Sequence, residues 1–324
     1  MIYDNIMISE NDIIFKFLKK LNFNKEETFH FKNDGAFFKQ KPNMEIVVTN
    51  DSITESIDFF KNDEPESVAQ KIMTYNLSDL SSLGAVPYAY TLSLSMPKGI
   101  GIDWIKKFTN KLLYLQKKYN IFLLGGDIGT TNQIHLSANF FGYVKKNLII
   151  KRETAALGDS IWVTGNIGDS CIGLLIRKNK IKINSKLQKY YINKYLFPLP
   201  CMIGSKIINF TNCAIDISDG FFGDLSKLLK KKLGADLVFS KIPISKNTKY
   251  LIDRKIVDPF FLLNGGDDYE LIFTSPKKND YKIKEIAKKN NYTVSKLGKI
   301  INKEGIFLDG YKIKDPEKSF QYFF

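Results

Sequence analysis

The sequence predicts an α+β fold in two parts, and three observations lead there. Short β-rich runs and helical patterns follow one another without a strict strand–helix–strand order. Glycine and charged residues cluster over positions 145–159, dividing the chain into residues 1–147 and 148–324. With 324 residues, 44% of them hydrophobic and 25% charged, there is enough apolar surface for two separate cores.

In the first part, residues 1–30 read as helix-rich, with Ile13, Phe15, Leu18 and Leu21 at near-helical spacing. Residues 44–49 form a β-rich run that ends on the polar Asn50, Asp51 and Ser52. A helix is expected over 66–83 and an amphipathic helix over 103–119. Alternation predicts strands at 88–96, closing on Pro97, and at 134–144. Between them, residues 121–124 make a short buried strand that runs into Gly125-Gly126-Asp127. In the second part, a strand over 160–164 leads through the turn Gly165-Asn166-Ile167-Gly168 into a helix over 169–177. A helix over 186–196 is stopped by Pro198 and Pro200. A short strand at 214–218 precedes Asp219-Gly220 and a helix over 222–231; strands at 271–274 and 294–299 follow.

Composition excludes several classes of function. No apolar run is long enough to span a bilayer, and the first eleven residues lack the basic and apolar regions of a secretory signal. Cys171, Cys201 and Cys213 form no CxxC pair, so neither a zinc cage nor a disulfide framework is indicated; a reducing, cytoplasmic location is expected. The net charge of +14 is carried almost wholly by lysine, with Arg152, Arg177 and Arg254 the arginines. These charges are spread along the chain and not interleaved with aromatics, so nucleic acid is not the expected partner. A positive protein nevertheless suits anionic substrates.

The chemistry lies in a set of aspartates. Asp34 precedes Gly35, Asp51 precedes Ser52, and Asp79 lies within Asn76-Leu77-Ser78-Asp79-Leu80. Asp127 ends Gly125-Gly126-Asp127, Asp216 and Asp219 flank Ser218, and Asp267 and Asp268 follow Gly265-Gly266. Most stand at the end of an apolar run, where a strand could deliver a carboxylate to a cleft. Any one aspartate is explained as a helix cap or turn residue. Several beside glycine pairs, which let backbone approach a phosphate, point instead to a shared site. An oxygen-only donor set without histidine or cysteine suits Mg²⁺, which takes a few carboxylates plus substrate phosphates. No P-loop, dinucleotide-binding or protein-kinase motif is present. The Gly165–Gly168 turn could offer backbone N–H groups to an anion.

These motifs resemble one family. Residues 76–87 look like the NLSDLAAMGAxP stretch of thiamine-monophosphate kinases. Gly125-Gly126-Asp127, Val163-Thr164-Gly165, Gly168-Asp169-Ser170, Asp216-Ile217-Ser218-Asp219-Gly220 and Gly265-Gly266-Asp267-Asp268-Tyr269-Glu270-Leu271 follow in that family's order, from about residue 30 to the C-terminus. The resemblance implies the aminoimidazole-ribonucleotide-synthetase-like architecture: an N-terminal ATP- and Mg²⁺-binding domain that forms a homodimer through its sheet, and a C-terminal α+β domain. By motif match it implies Mg²⁺ held by Asp34, Thr49, Asn50, Asp51, Asp79, Asp127, Asp216 and Asp219. It implies ATP contacts from Gly126, Asp127, Arg152 and Ser218, catalytic roles for Asp219 and Arg152, and substrate contacts from Asp58, Asp267 and Phe320. The chain departs from the family at Lys32-Asn33-Asp34, where a carboxylate is lost, at Thr49-Asn50-Asp51, and at Asp58, which replaces a histidine that meets substrate.

The implied reaction converts ATP and thiamine phosphate to ADP and thiamine diphosphate. Its nucleophile is an already anionic phosphate oxygen, so no strong general base is needed, in keeping with a chain whose only histidines are His30 and His135. Catalysis would rest on positioning and charge neutralisation, with no phosphoenzyme. Asp58 or Asp267 could pair with the cationic thiazolium ring, and Phe320 could face it. Two alternatives stand beside this reading: another ATP-using enzyme of the superfamily, such as a purine-pathway cyclo-ligase, and a non-catalytic nucleotide-binding regulator.

Overall fold

Alternating apolar and polar residues build a four-stranded sheet in the first part of the computed structural model, which describes residues 8–316. One unit takes in the chain up to Leu80 together with residues 86–146; the other takes in 81–85 and the chain from Asn147 onward. In the first unit a short helix α1 (Glu10–Asp12), capped by the Ser9 hydroxyl, and further helical turns up to Phe31 precede β1 (Met44–Thr54). Then come α2 (Pro65–Ser82), β2 (Val86–Met96), α3 (Ile102–Tyr119), β3 (Phe122–Thr130) and β4 (His135–Lys145). The strand order is β1-β4-β2-β3. β4 runs antiparallel to β1 and β2, while β2 and β3 are parallel and joined by the α3 crossover.

Helix α2 is covered on nearly every side: Val68, Ile72, Met73, Leu77 and Leu80 are buried, and so are Gln70, Lys71, Thr74, Asn76 and Ser78. Its buried polar groups find partners, as when Asn76 Nδ2 donates to the Ile72 carbonyl at 3.0 Å and Lys71 Nζ to the Asp58 carbonyl at 2.7 Å. Helix α3 is one-sided. Ile105, Phe108, Leu112 and Leu115 face inward, and Asn120, at φ 54°, ends the helix in the left-handed region.

The second unit carries a seven-stranded sheet in the order β11-β10-β7-β9-β5-β8-β6. These strands are β5 (Ser160–Thr164), β6 (Cys213–Asp216), β7 (Gly234–Leu237), β8 (Leu271–Ser275), β9 (Val294–Ile301), β10 (Gly305–Leu308) and β11 (Tyr311–Lys312). Every residue of β5, β6 and β8 is buried, because the sheet is covered on both faces. Alternate residues feed two cores: Ile161, Val163, Ile215 and Ile272 pack with Phe221 and Phe222, whereas Trp162, Ala214 and Phe273 pack with Ile207 and Ile283. The helices are α4 (Asp169–Arg177), α5 (Ser185–Leu196), α6 (Gly204–Ile207), α7 (Phe221–Ser226), α8 (Lys246–Asp253), α9 (Pro259–Leu263) and α10 (Asp280–Lys289).

The mixed sheets agree with the α+β expectation. Three local expectations change. β1 continues through Asn50-Asp51-Ser52, because each of these polar residues has a ladder partner on β4. β3 likewise continues through Gly125-Gly126-Asp127 along β2. Helix α7 stops at Ser226, short of the expected 231, where Lys227 turns back toward Asp219 and Asp224. Asp51 and Asp127 therefore lie inside strands and not past the strand ends read from the sequence, while Asp79 lies within the expected helix.

Candidate functional site

In the first unit the register of the sheet sorts the candidate residues by face. Asp51 stands opposite Ala138, which stands opposite Leu92, which stands opposite Gly126. The next row is Ser52, Ser137, Ser93 and Asp127. Because side chains alternate, Thr49 and Asp51 share one face of β1, while Asn50 and Ser52 share the other. Thr49 Oγ1 sits 3.4 Å from both the carbonyl and the side-chain oxygen of Asn76. The Thr49–Asp51 face is thus turned toward α2, the helix that carries Asp79. On the opposite face Asn50 donates to Asn139 Oδ1 at 3.0 Å, and Asn139 donates to Thr91 Oγ1 at 3.2 Å, forming a polar relay across three strands.

A cleft of about 480 Å³ opens at the β3 edge of this unit. Asp34, Gly125, Gly126 and Asp127 line it, together with Glu10, Thr28 and Thr91 and an apolar wall that includes Ile14, Leu18, Phe31 and Leu123. The segment that brings Asp34 here is tied down by Tyr88, whose hydroxyl donates to Glu27 Oε1 at 2.6 Å, and by the Phe37 N–H on the Glu27 carbonyl at 3.1 Å. Gly126 is a steric requirement: a Cβ there would lie 1.9 Å from the Leu92 carbonyl oxygen. Asp58 lies elsewhere, in the turn after β1, where its Oδ2 accepts the Thr54 N–H at 2.7 Å.

In the second unit Asp216 is the buried last residue of β6, and Ser218 and Asp219 follow it. Asp224, which the sequence reading passed over, organises this loop. Its Oδ2 accepts the N–H groups of Ser218, Asp219 and Gly220 at 3.0, 3.0 and 3.2 Å. Burial raises the Asp224 carboxyl above the usual range despite its bond to Lys227. The Gly265–Glu270 segment pairs with the same loop: Asp267 N–H reaches the Ser218 carbonyl at 2.9 Å and Tyr269 N–H the Ile217 carbonyl at 2.9 Å. Asp267 itself has φ 61° and accepts the Tyr269 hydroxyl at 2.8 Å. Arg152 is exposed and lies beside the start of β6, next to the Lys151–Cys213 bridge, whereas Asp219 lies beyond the other end of that strand. Phe320 falls outside the described residues.

The Gly165–Gly168 turn does not present a free anion cradle. Gly165 N–H donates to the Thr293 carbonyl, Ile167 N–H to the Pro243 carbonyl, and Gly168 N–H to both oxygens of Asp268 at 3.0 Å. A protein carboxylate therefore already stands at the start of α4. Burial pushes the Asp268 carboxyl well above the usual range. Asp224 stands four residues after Gly220 and Asp268 two after Gly266, so both follow a glycine; sequence alone does not say which backbone N–H groups such a carboxylate will collect.

The donors in the first-unit cleft are hard oxygens without histidine or cysteine, which fits Mg²⁺. Among the described residues no three His, Cys, Asp or Glu side chains are gathered as a finished metal site. The aspartates read from the sequence as one shared site therefore do not form such a group among the described residues.

Comparison with known proteins covers both units. Residues 32–144 match the family AIR synthase related protein, N-terminal domain, and residues 156–310 match AIR synthase related protein, C-terminal domain. The thiamine-monophosphate kinase of Buchnera aphidicola subsp. Acyrthosiphon pisum is 36% identical across 97% of this chain and 99% of its own length. The crystal structure of thiamine-monophosphate kinase from Stenotrophomonas maltophilia K279a superposes with a TM-score of 0.82 at 26% identity, over 93% of this chain and 97% of that one. AaThiL complexed with AMPPCP and TMP superposes at 0.78 with 25% identity, over 88% and 89% of the two chains.

Proposed function

We propose, from the premise that this chain belongs to the thiamine-monophosphate kinase family, that it transfers the terminal phosphoryl group of ATP to thiamine monophosphate, giving thiamine diphosphate and ADP. The observation that carries the reading is the end-to-end likeness: 36% identity over 97% of the chain and 99% of the relative.

The nucleophile is a phosphate oxygen that is anionic near neutral pH, so the protein's task is to hold two polyanions in line. Gly125, where a Cβ would meet nothing within 4 Å, leaves the β3 backbone beside Gly126 and Asp127 open to phosphate oxygens. Asp34 and Asp127 in the first unit, with Thr49, Asn50, Asp51 and Asp79 from β1 and α2, and Asp216 and Asp219 in the second unit, are the residues that would hold Mg²⁺. When bound, the ion would supply charge neutralisation between the two polyanions. Arg152 and Ser218 contribute to ATP binding, Arg152 through a guanidinium free to meet phosphate. Asp267 is held toward its loop by the Tyr269 hydroxyl and offers a carboxylate to the cationic thiazolium. Asp58 accepts the Thr54 N–H through Oδ2 at the turn after β1, and its carboxylate is assigned to substrate contact. His135 contacts Thr54 Oγ1 at 2.9 Å and serves as a strand-end link, not as a base.

The chain acts as a homodimer through the outer face of its four-stranded sheet, where Ile46 is 46% and Val48 57% exposed. Cys171, Cys201 and Cys213 are free and buried, which suits a reducing cytoplasm. Among the described residues no helix is long and apolar enough to cross a membrane.

The test is direct. The purified protein is incubated with Mg-ATP and thiamine monophosphate, and thiamine diphosphate is quantified, with formylglycinamidine ribonucleotide run in parallel. Formation of thiamine diphosphate alone is the expected result. Turnover of the purine precursor, or ATP binding without turnover of either compound, would replace the assignment with a cyclo-ligase or a regulator.

A further inference from the structure

We propose that Lys227 is a resident counter-ion of Asp219 that sets how tightly the second-unit carboxylate site takes a divalent cation. The proposal rests on the reading above that Asp219 is a Mg²⁺ ligand. Helix α7 is only six residues long, under two turns, and Lys227 caps its end. That short turn folds the lysine back under the Ser218–Gly220 loop, where Nζ donates to Asp219 Oδ2 at 2.7 Å and to Asp224 Oδ1 at 2.8 Å. The three groups differ in access. The Asp224 side chain is 1% exposed and its second oxygen is committed to three backbone N–H groups, so no cation reaches it without dismantling the loop. The Asp219 side chain is 35% and the Lys227 side chain 40% exposed, so both face solvent. One carboxylate therefore shapes the loop and anchors the ammonium, and the ammonium in turn holds Asp219.

The consequence is competition. A divalent cation arriving at Asp219 meets a fixed positive charge on the oxygen it needs, and must share the carboxylate or move the ammonium aside. In exchange, the lysine keeps two neighbouring carboxylates from repelling each other while no metal is bound. Lys227 thus weakens metal binding and preorders the ligand.

The experiment titrates Mg²⁺ into the full chain with saturating AMPPCP by calorimetry, comparing the unmodified protein with K227M, K227R, D219N and the K227M/D219N double variant. Circular dichroism melts confirm that each is folded. K227M is expected to tighten Mg²⁺ by about three- to tenfold, the size of removing one half-exposed charge beside a divalent ion. K227R, which keeps the charge, is expected to bind within about twofold of the unmodified protein. D219N is expected to weaken Mg²⁺, and in that background K227M is expected to change nothing. If D219N weakens Mg²⁺ but K227M leaves it unchanged or weakens it, the counter-ion role is overturned while the metal reading stands. If D219N leaves Mg²⁺ affinity unchanged, the placing of Asp219 at the metal fails, and the proposal falls with it.

Discussion

Glu270 is a carboxylic acid with its acidic end enclosed by its own unit. Thr164 donates its hydroxyl to Glu270 Oε2, and Gly165, at φ 56°, packs so closely that a Cβ would lie 1.8 Å from Oε1. Burial, only partly countered by the Thr164 bond, lifts its pKa to about 7. The native state therefore holds this proton more tightly than the unfolded chain does. The resulting stability is present in full below the ordinary glutamate pKa and is lost as pH rises through about 7, by an amount on the order of 3 kcal/mol. Glu270→Gln keeps the shape and an acceptor for Thr164 but cannot ionise. Urea unfolding at pH 5 and pH 8 is expected to show the unmodified protein losing more stability across that interval than the variant; equal losses would mean that Glu270 is not the titrating group. Asp224 and Asp268 are shifted in the same direction, so the difference between the two proteins, not the absolute slope, carries the test. Gly126→Ala is a second residue-scale case. Its Cβ would meet the backbone oxygen of Leu92, not a movable side chain, so strands β2 and β3 must separate. A destabilisation of about 1–3 kcal/mol, read from the denaturation midpoint, is expected together with weaker AMPPCP binding.

The loop after β6 is shaped by one carboxylate and little else, and its parts respond differently to substitution. Asp224→Ala removes the acceptor for three N–H groups and leaves Lys227 with Asp219 alone; a loss of about 2–4 kcal/mol by urea unfolding is expected. Asp224→Asn retains one acceptor oxygen and is expected to cost distinctly less; equal costs would show that the N–H bonds do not hold the loop. This element also shows what the sequence could and could not convey. Strands β2 and β4 and helix α3 were legible through their periodicity, and β5 and β8 as short continuous apolar runs. The run through Asn50 and Asp51, and the one through Gly125 to Asp127, read as turns because polar and glycine residues signal turns locally. Only pairing with β4 and β2, a long-range fact, keeps them extended. The short α7 failed for the converse reason: residues 227–231 have good helical propensity, but Lys227 is drawn to two aspartates. Of the candidate site, the motif aspartates were legible as a set. Their division between the α2-facing and open faces of β1 was not, because it depends on register.

The face of the four-stranded sheet turned away from α2 is open along β1, whereas Ala89 and Tyr143 on the same face are buried and Phe38 packs on Phe141. The rows Ile46–Tyr143–Val86 and Val48–Phe141–Ala89 make one end apolar, and the rows Asn50–Asn139–Thr91 and Ser52–Ser137–Ser93–Asp127 make the other polar. Ile46 and Val48 lie exposed side by side on β1, and Val86 is 53% exposed on β2 across the buried Tyr143. Closing two copies of this surface against each other removes apolar surface from water, which is the main force available for association. Sedimentation velocity at micromolar concentration is therefore expected to give a species of twice the 37.2 kDa chain mass. Val48→Asp places a charge on this surface and is expected to yield monomer. Because Val48 is already exposed in the isolated chain, the same substitution is expected to change the stability of the monomeric unit by no more than about 0.5 kcal/mol. A Val48→Asp protein that still sediments as a dimer, or an unmodified protein that stays monomeric, would move the interface elsewhere. A variant that becomes monomeric only by unfolding would show that Val48 belongs to the core and not to a contact between copies.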